Sequence, residues 1–579
     1  MPRRRSRIVL TENIFMRIEI LKRSAVMLYL TVVFSVFTIA QNTTSTLTGT
    51  TSDSDDILPG AVVKLTEVES GITYSAISNQ KGQFRITGLT PGGPYRLEVS
   101  YVGHKKSVID IKRISLGEVY SCNVELTTGN ELQEVIVKGQ AAALRKTGSS
   151  ESISAEDIDN KATVDRTLQD ILAMSPYYIG SGSFGGRDGG MNNYSIDGAN
   201  FNANMGLDRE KMPGAGTPFA LEALEDIQIV NSAFDVKNSN FMGATINAVT
   251  KKGTNTFRGS AYHFYKDESL RGNRVDGEEL TSPRGDIKRT IYGLTLGGPI
   301  IKDKLFFFVS AELENTPLQL HQWQASKDGV EDGKNLISRV TESDMKQFAS
   351  DLQSMYGWNP GSYNDFTGDN KFFRLMTRID WNISKYHKLT LRYNQTNGKK
   401  DNSYSSPGMG MNDGRVSIYS MVFDGSNWKK VDNVYSLTGE LNSRFGNNIT
   451  NTLRASFTFN DANNRECDAA FPCIEIMKPY DGDGKNHAYM SAGYDPYAWL
   501  NGINEKSWNV VDNMNISLGN HFLTVGAGFE STKASNCFMK YGAGYYRYAS
   551  YDDFLQKKAP VAFAMCWSLT GKERALSDV

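Results

Sequence analysis

Cysteine is scarce in this chain of 579 residues, with only 5 present. That argues against a disulfide scaffold or a zinc module. Cys467 and Cys473 lie close together in Cys-Asp-Ala-Ala-Phe-Pro-Cys and either close a small loop disulfide or stand as two unpaired thiols. Histidine is scarcer still for the length, at 6 residues, and no Ser-His-Asp, metal-ligand or paired-carboxylate set stands out. An enzyme is therefore not expected, nor a cofactor or a metal site. Charge of one sign is not in excess, with 63 Lys+Arg against 64 Asp+Glu. That balance gives no pull toward nucleic acid, and none is expected as a partner. Long hydrophobic runs are missing too. The one uncharged run, Ala25 to Ala40, follows Lys22 and Arg23 and is short of the roughly 20 residues a helix needs to span a bilayer. It fits a signal peptide over residues 1–40, with Thr38-Ile39-Ala40 as the small-residue cleavage site and Gln41 as the mature start. An uncleaved signal anchor is the alternative, and Met16 competes with Met1 as the true start. No Cys follows the site, which argues against a lipid anchor. Any membrane insertion beyond this point must use β-strands.

What the chain does have is glycine, at 53 residues, and aromatics, at 11%. Mean hydropathy is only -0.40. Short alternating runs rich in Gly, Tyr, Phe, Asn and Thr point to a mainly β protein. Composition alone fits a soluble multidomain β-protein or a membrane barrel, in which only one face of each strand is apolar.

From Leu47 to Thr127 short apolar stretches alternate with turn signals, as in a β-sandwich. Pro59-Gly60-Ala61 opens one strand, Lys81-Gly82-Gln83-Phe84 enters a second, and Gly88-Leu89-Thr90-Pro91-Gly92 turns toward Tyr95–Tyr101. This order resembles the carboxypeptidase-regulatory-like domain, which implies an Ig-like or prealbumin-like sandwich over residues 41–128. Nothing in it supplies a zinc-binding His/Glu set, so peptidase activity does not follow.

Residues 129–146 hold Glu134-Val135-Ile136-Val137, a β-forming core flanked by charge, and then a small, polar linker. On these residues alone the segment reads as the last strand of the preceding domain. An unpaired strand on a tether also suits β-augmentation of a partner's sheet.

Residues 147–253 mix short helices and strands. Ile153–Ile158 reads as a capped helical turn, and Val164–Met174 has apolar residues at helical spacing. A glycine-rich loop, Gly180–Gly190, carries Arg187 and Asp188. No Lys-Ser/Thr follows it, which excludes a phosphate-binding loop. The two charges are expected as structural groups enclosed in the domain or in a barrel lumen. Tyr194-Ser195-Ile196-Asp197-Gly198 reads as a strand ending in a turn, and Leu224–Val230 and Gly243–Lys251 as further strands.

This order resembles the plug of TonB-dependent outer-membrane receptors, and with the leading domain the chain is similar to Oar-like receptors. The resemblance runs from Leu47 to about Gly544. It implies an α+β plug with Arg187, Asp197 and Gly198 in its motifs. It also places Glu134, Val135, Ile136 and Val137 at the family's TonB box, with the TonB C-terminal domain as partner.

From Thr254 to residue 579 the pattern is that of a partial antiparallel transmembrane β-barrel. Leu389, Leu391 and Tyr393 alternate with Thr390, Arg392 and Asn394. Tyr435–Asn442, Leu453–Asn460, Phe373–Trp381 and His521–Glu530 behave alike. Short turns at Gly297–Lys304, Ile383–His387 and Phe445–Thr450 alternate with long polar links at Glu314–Asn370, Asn397–Val431 and Asp461–Lys506. That asymmetry is the one expected of periplasmic turns and extracellular loops. Asp481–Gly484 reads as a solvated turn in preference to a calcium loop. Trp323, Trp358 and Trp428 either stack on a sugar or anchor their loops. The pattern yields nine or ten strands against the roughly 22 of the resembled family, and the polar end Lys572–Val579 is not strand-like, so the chain reads as a C-terminally truncated fragment.

The resemblance implies energy-coupled uptake of an unidentified extracellular substrate across the Gram-negative outer membrane, in contact with outer-membrane lipid, with the N-terminal domain and plug facing the periplasm. The alternative is a surface adhesion or assembly protein that uses the barrel as an anchor.

Overall fold

The computed structural model describes residues 43–566 apart from 130–134, 137–147, 164, 203–211, 213–216, 234–241, 281–283, 286, 365, 405–413, 447, 468–470 and 519–520. The expected signal peptide, Glu134, Val137, most of the linker and the last thirteen residues lie outside the described residues.

Residues 45–125 form two facing sheets. One joins Gln83–Leu89, Ser45–Ser52 and Val119–Ser121 with Val124–Glu125; the other joins Thr73–Ile77, Val62–Glu67, Tyr95–Ser100 and Ser107–Ile111. Strict alternation in Ser45–Ser52 and Tyr95–Ser100 sends one face inward. Leu47, Val63, Leu65, Phe84, Tyr95 and Leu97 meet there in a closed core. Gly60, at φ 84°, makes the turn before Val62–Glu67.

A five-stranded sheet follows, in the order Gly148–Ser154, Leu224–Ala233, Thr245–Thr250, Asn193–Ile196, Ala199–Asn200. Its Asn193–Ile196 and Thr245–Thr250 strands run parallel and its other pairs antiparallel. Two short helices cover it, Ala155–Asn160 and Leu168–Leu172. Both open on capping boxes, Ser154 with Asp157 and Thr167 with Asp170. The second is shorter than the Val164–Met174 expected from apolar spacing, because the Thr167 cap fixes its start at Leu168. Leu168, Ile171, Tyr194, Ile196, Ile227 and Ile246 share the core of this unit.

Nine strands then form one antiparallel meander: Arg258–Asp267, Lys288–Ile301, Leu305–Asn315, Asn370–Asn382, His387–Asn402, Trp428–Phe445, Ile449–Glu466, Gly502–Leu518 and His521–Cys537. Burial on this wall is inverted relative to a soluble protein. Leu437 is 55% exposed and Trp508 58%, whereas their neighbours Ser436, Thr438 and Asn509 are buried. Apolar side chains outward and polar ones inward are what a strand needs between lipid and a wet lumen.

The short turns fall where expected, but the strands run further into the long links, to Asn402, Trp428, Glu466 and Gly502. There the backbone ladder continues after the apolar alternation has ended. The links themselves are not loose. Parts of three of them and the segment after Cys537 build one cap around the helix Glu342–Tyr356 and a five-stranded sheet containing Cys473–Tyr480, Lys485–Ala492 and Tyr545–Tyr548. Met345, Phe348, Leu352, Phe423, Met490 and Phe554 form its core. The segment after Cys537, expected to carry on the barrel, pairs here with the cap, Tyr545–Tyr548 lying parallel to Cys473–Ile476.

Candidate functional site

The five-stranded unit meets the inner face of the wall through polar groups. Asp197 and Gly198, at φ 50° and 77°, form the two-residue turn between Asn193–Ile196 and Ala199–Asn200. Buried Asp197 accepts from the Thr250 N–H (3.1 Å) and from Thr250 Oγ1 (2.7 Å). From the wall, Arg392 Nε lies 3.4 Å and Arg378 Nη1 4.0 Å from Asp197 Oδ1. Gly198 faces Arg454 so closely that a Cβ would run into the guanidinium. Asp197 and Gly198 thus lie together at the contact between the unit and the wall.

Arg187 does not join them. Its side chain and that of Asp188 are exposed, a correction to the enclosed charges expected. Gly180–Gly190 folds back as a hairpin of Tyr178–Gly180 with Ser183–Phe184, anchored by buried Phe184 and Gly189. Asp188 caps the following turn by accepting from the Gly190 N–H (2.8 Å).

The contact with the wall continues on either side of Asp197. Arg378 Nη1 donates to the Thr250 carbonyl (2.7 Å) and Arg374 Nε to the Thr217 carbonyl (2.7 Å). Thr396 Oγ1 donates to the Pro218 carbonyl (2.5 Å). These wall groups are themselves paired: Arg378 with Asp380 (2.7 Å), Arg374 with Glu312 (2.8 Å) and Glu314 (2.7 Å), and Arg392 with Glu440 (3.5 Å). Pairing is what lets such charges be buried at all. Apolar clusters of the described residues reach the wall only at Val434, Phe308 and Met376. The unit therefore seals the wall by hydrogen bonds, each contributing about 1–3 kcal/mol net, and water can replace them. Sequence reasoning had named none of Thr250, Arg374, Arg378 and Arg454 as site residues; charged residues at inward positions of membrane strands were the available signal.

The sandwich sits at the short-turn end of the wall. Thr43 Oγ1 donates to Glu440 (2.9 Å), Thr87 and Thr450 share a hydrogen bond (2.7 Å), and Arg258 pairs with Glu69 (2.7 Å). Glu67 is buried and paired with Lys252. Burial alone would raise the Glu67 carboxyl, but Lys252 and Lys388 prevail and hold it below its ordinary value. Arg113 pairs with Glu225 (3.0 Å) and Asp226 (2.8 Å). Burial pushes the Glu225 carboxyl up, more than Arg113 pulls it down. Between sandwich, unit and wall lies a cleft of about 500 Å³ lined by residues that include Tyr74, Thr90, Lys252, Arg378, Lys388 and Glu440.

Of the four expected TonB-contacting residues, Val135 and Ile136 are described. They pair parallel with Ser107 and Val108, at the edge of the sandwich. On the opposite side, Cys467 and Cys473 form no disulfide; Arg415 Nη2 lies 2.9 Å from the buried Cys473 Sγ, whose pKa burial pushes up to about 12. Asp481–Gly484 is the turn of the cap hairpin Cys473–Tyr480 and Lys485–Ala492. The three tryptophans anchor: Trp358 stacks on Phe471 (4.1 Å), Trp323 packs on the cap core, and Arg465 lies over Trp428 (4.3 Å).

Residues 46–127 match the carboxypeptidase regulatory-like domain, and residues 249–322 and 334–571 match the outer membrane beta barrel domain. The chain is 24% identical to the TonB-dependent transporter Oar of Myxococcus xanthus over 382 residues, 61% of this chain and 33% of that protein. It spans about a third of the length of that relative. Among solved structures it is similar to the outer membrane transporter YddB of Escherichia coli, with 12% identity, a TM-score of 0.47, and 69% of this chain against 50% of that one. It is also similar to the siderophore receptor PirA of Pseudomonas aeruginosa, with 13% identity, a TM-score of 0.40, and 68% against 49%. With more than half its residues matched and its wall apolar outside and polar within, the chain belongs to the outer membrane beta barrel domain family, is located in the outer membrane, and carries a carboxypeptidase regulatory-like domain ahead of the barrel strands.

Proposed function

We propose that the protein is part of a TonB-dependent transporter, in which the five-stranded unit of residues 147–253 is the plug and residues 129–146 are the segment that TonB grips. The observation that carries this reading is the seal itself. The unit is held to the wall by Arg374, Arg378, Arg392 and Thr396 through groups that water can satisfy equally well. A stopper that must leave under load needs such a seal. An apolar one would cost roughly 25 cal/mol for each Å² exposed. No bond of the substrate is made or broken, and the reading needs no catalytic group. The similarity to Oar supports the same assignment.

Glu134–Val137 would give TonB backbone N–H and C=O groups to add to its own sheet edge. The pairing of Val135–Ile136 with Ser107–Val108 supports the segment's readiness to form such a ladder. The test is binding of the TonB C-terminal domain to the full-length protein in bilayers. Val135→Pro removes a ladder N–H and should weaken binding at least tenfold, while Val119→Pro, at an exposed position of an edge strand of the sandwich, should not. Equal binding by Val135→Pro and the unaltered protein would defeat the assignment.

The packed cap favours a second reading, a surface adhesion or assembly protein. Its own core around Phe348 gives it a fixed outer shape suited to display. That reading predicts cell-surface phenotypes that survive loss of TonB.

A further inference from the structure

Asp226 joins three parts of the molecule. Its carboxylate is fully buried on Leu224–Ala233. Oδ1 accepts from Ser152 Oγ (2.5 Å), on the first strand of the unit, directly after the linker. Oδ2 accepts from Arg113 Nη2 (2.8 Å) and from the Leu116 N–H (3.1 Å), both in the sandwich. Two glycines let the sandwich come this close. A Cβ at Gly117 would collide with the Gln228 side chain, and one at Gly92 would lie 2.8 Å from Glu225 Oε1.

We propose that Asp226 is a latch that makes release of the sandwich conditional on withdrawal of the strand Gly148–Ser154. A buried carboxylate is tolerated while donors surround it. Here the donors come from both sides of a junction. Withdrawing Gly148–Ser154 removes the Ser152 hydroxyl and opens the strand's place on Leu224–Ala233 to water. The carboxylate is then solvated, and its pairing with Arg113 falls from that of a buried, charge-assisted bond toward that of a surface ion pair. The other contacts that hold the sandwich include Thr43 to Glu440, Thr87 to Thr450, Thr90 to Lys388, Arg258 to Glu69 and Arg85 over Phe522, together with the buried Glu67–Lys252 pair. Once Arg113 lets go of Asp226 and, beside it, Glu225, the sandwich is held by those other contacts alone and undocks more often, which opens the cleft of about 500 Å³ at the short-turn end. The order of release is thereby built into one side chain, first the strand and then the sandwich. The proposal deepens the plug reading and rests on it.

The experiment uses the full-length protein in bilayers, with spin labels carried by unnatural amino acids at the exposed positions Lys81 of the sandwich and Lys304 of a wall turn. Distance distributions are measured without TonB, so the result does not depend on whether TonB binds. The unaltered protein is expected to give one narrow distance. Arg113→Met is expected to raise the undocked fraction roughly tenfold. Ser152→Ala, a mild change that keeps the strand, is expected to raise it several-fold. The double variant is expected to be no worse than Arg113→Met, because both act through Asp226. Thr87→Val, which loosens docking elsewhere, is expected to add to Ser152→Ala. If Ser152→Ala leaves the distribution unchanged, if its effect adds in full to that of Arg113→Met, or if Arg113→Met does not undock the sandwich, the latch is refuted.

Discussion

Asp197 and Gly198 both sit in the left-handed region, and the second has no room for a side chain beside Arg454. Gly198→Ala adds backbone strain to a collision with a buried guanidinium, so the unit should lose about 1–3 kcal/mol. Limited proteolysis of the chain in bilayers measures it, and Ala199→Gly nearby is the control for a general loosening. On the sandwich, His104 Nε2 and Asp53 Oδ2 are 3.0 Å apart. The Asp53 side chain raises the His104 pKa, and backbone N–H bonds, from Asp56 foremost, lower Asp53 to about 2. Because the folded value of His104 is raised, its stabilisation is complete below the ordinary 6.5 and is lost as the pH climbs through the raised value. Asp53 works the other way, stabilising above 3.8 and failing only as the pH falls toward 2. Histidine-selective NMR should find His104 titrating above 6.5, and Asp53→Asn should bring it down. At this scale the sequence was half legible. Asp-Gly announces a tight turn by itself, but its partners Thr250 and Arg454 are far along the chain. Arg187 looked equivalent to Asp197 in the motif and proves exposed, since glycine-rich sequence does not reveal which side of a hairpin faces in.

Strands of the wall were the most legible elements. Alternation is strict where one face meets lipid and the other a wet lumen, as in Tyr435–Asn442. It fades where both faces are wet, and there the reading stopped short although the ladder runs on to Asn402 and Glu466. The helix Glu342–Tyr356 went unread inside a long polar link. Its signals are present: Thr341 accepts from the Asp344 N–H, Met345, Phe348 and Leu352 share one face, and Gly357 ends it at φ 65°. Thr341→Ala removes the cap and should cost about 1 kcal/mol, read as faster amide exchange in the first turn of that helix alone. Leu437→Arg places a charge on the lipid face and should cost about 2–4 kcal/mol if near the bilayer centre. Thr438→Arg turns the same charge toward the lumen and should cost less. Folding yield of the full-length protein into vesicles compares the two.

Across the whole molecule, the order sandwich, unit, wall could be read because each has its own period and punctuation. The joints could not. Thr43 meets Glu440 across 397 positions and Arg113 meets Asp226 across 113, and no local pattern marks such pairs. The cap was hidden for the same reason, since its core draws on Phe348, Phe423, Ile474 and Phe554 from separate segments, each too short to declare a domain. Assembled, the parts make a polar-sealed unit against a membrane wall. The measurement that tests this most directly is single-molecule pulling on the full-length protein in a bilayer, with a handle at Gln140 and the wall anchored. The account predicts that Gly148–Ser154 leaves first, that the unit follows stepwise at low force, and that the nine wall strands stay folded. Extraction of wall strands before the unit, or a unit that holds until the wall fails, would contradict it.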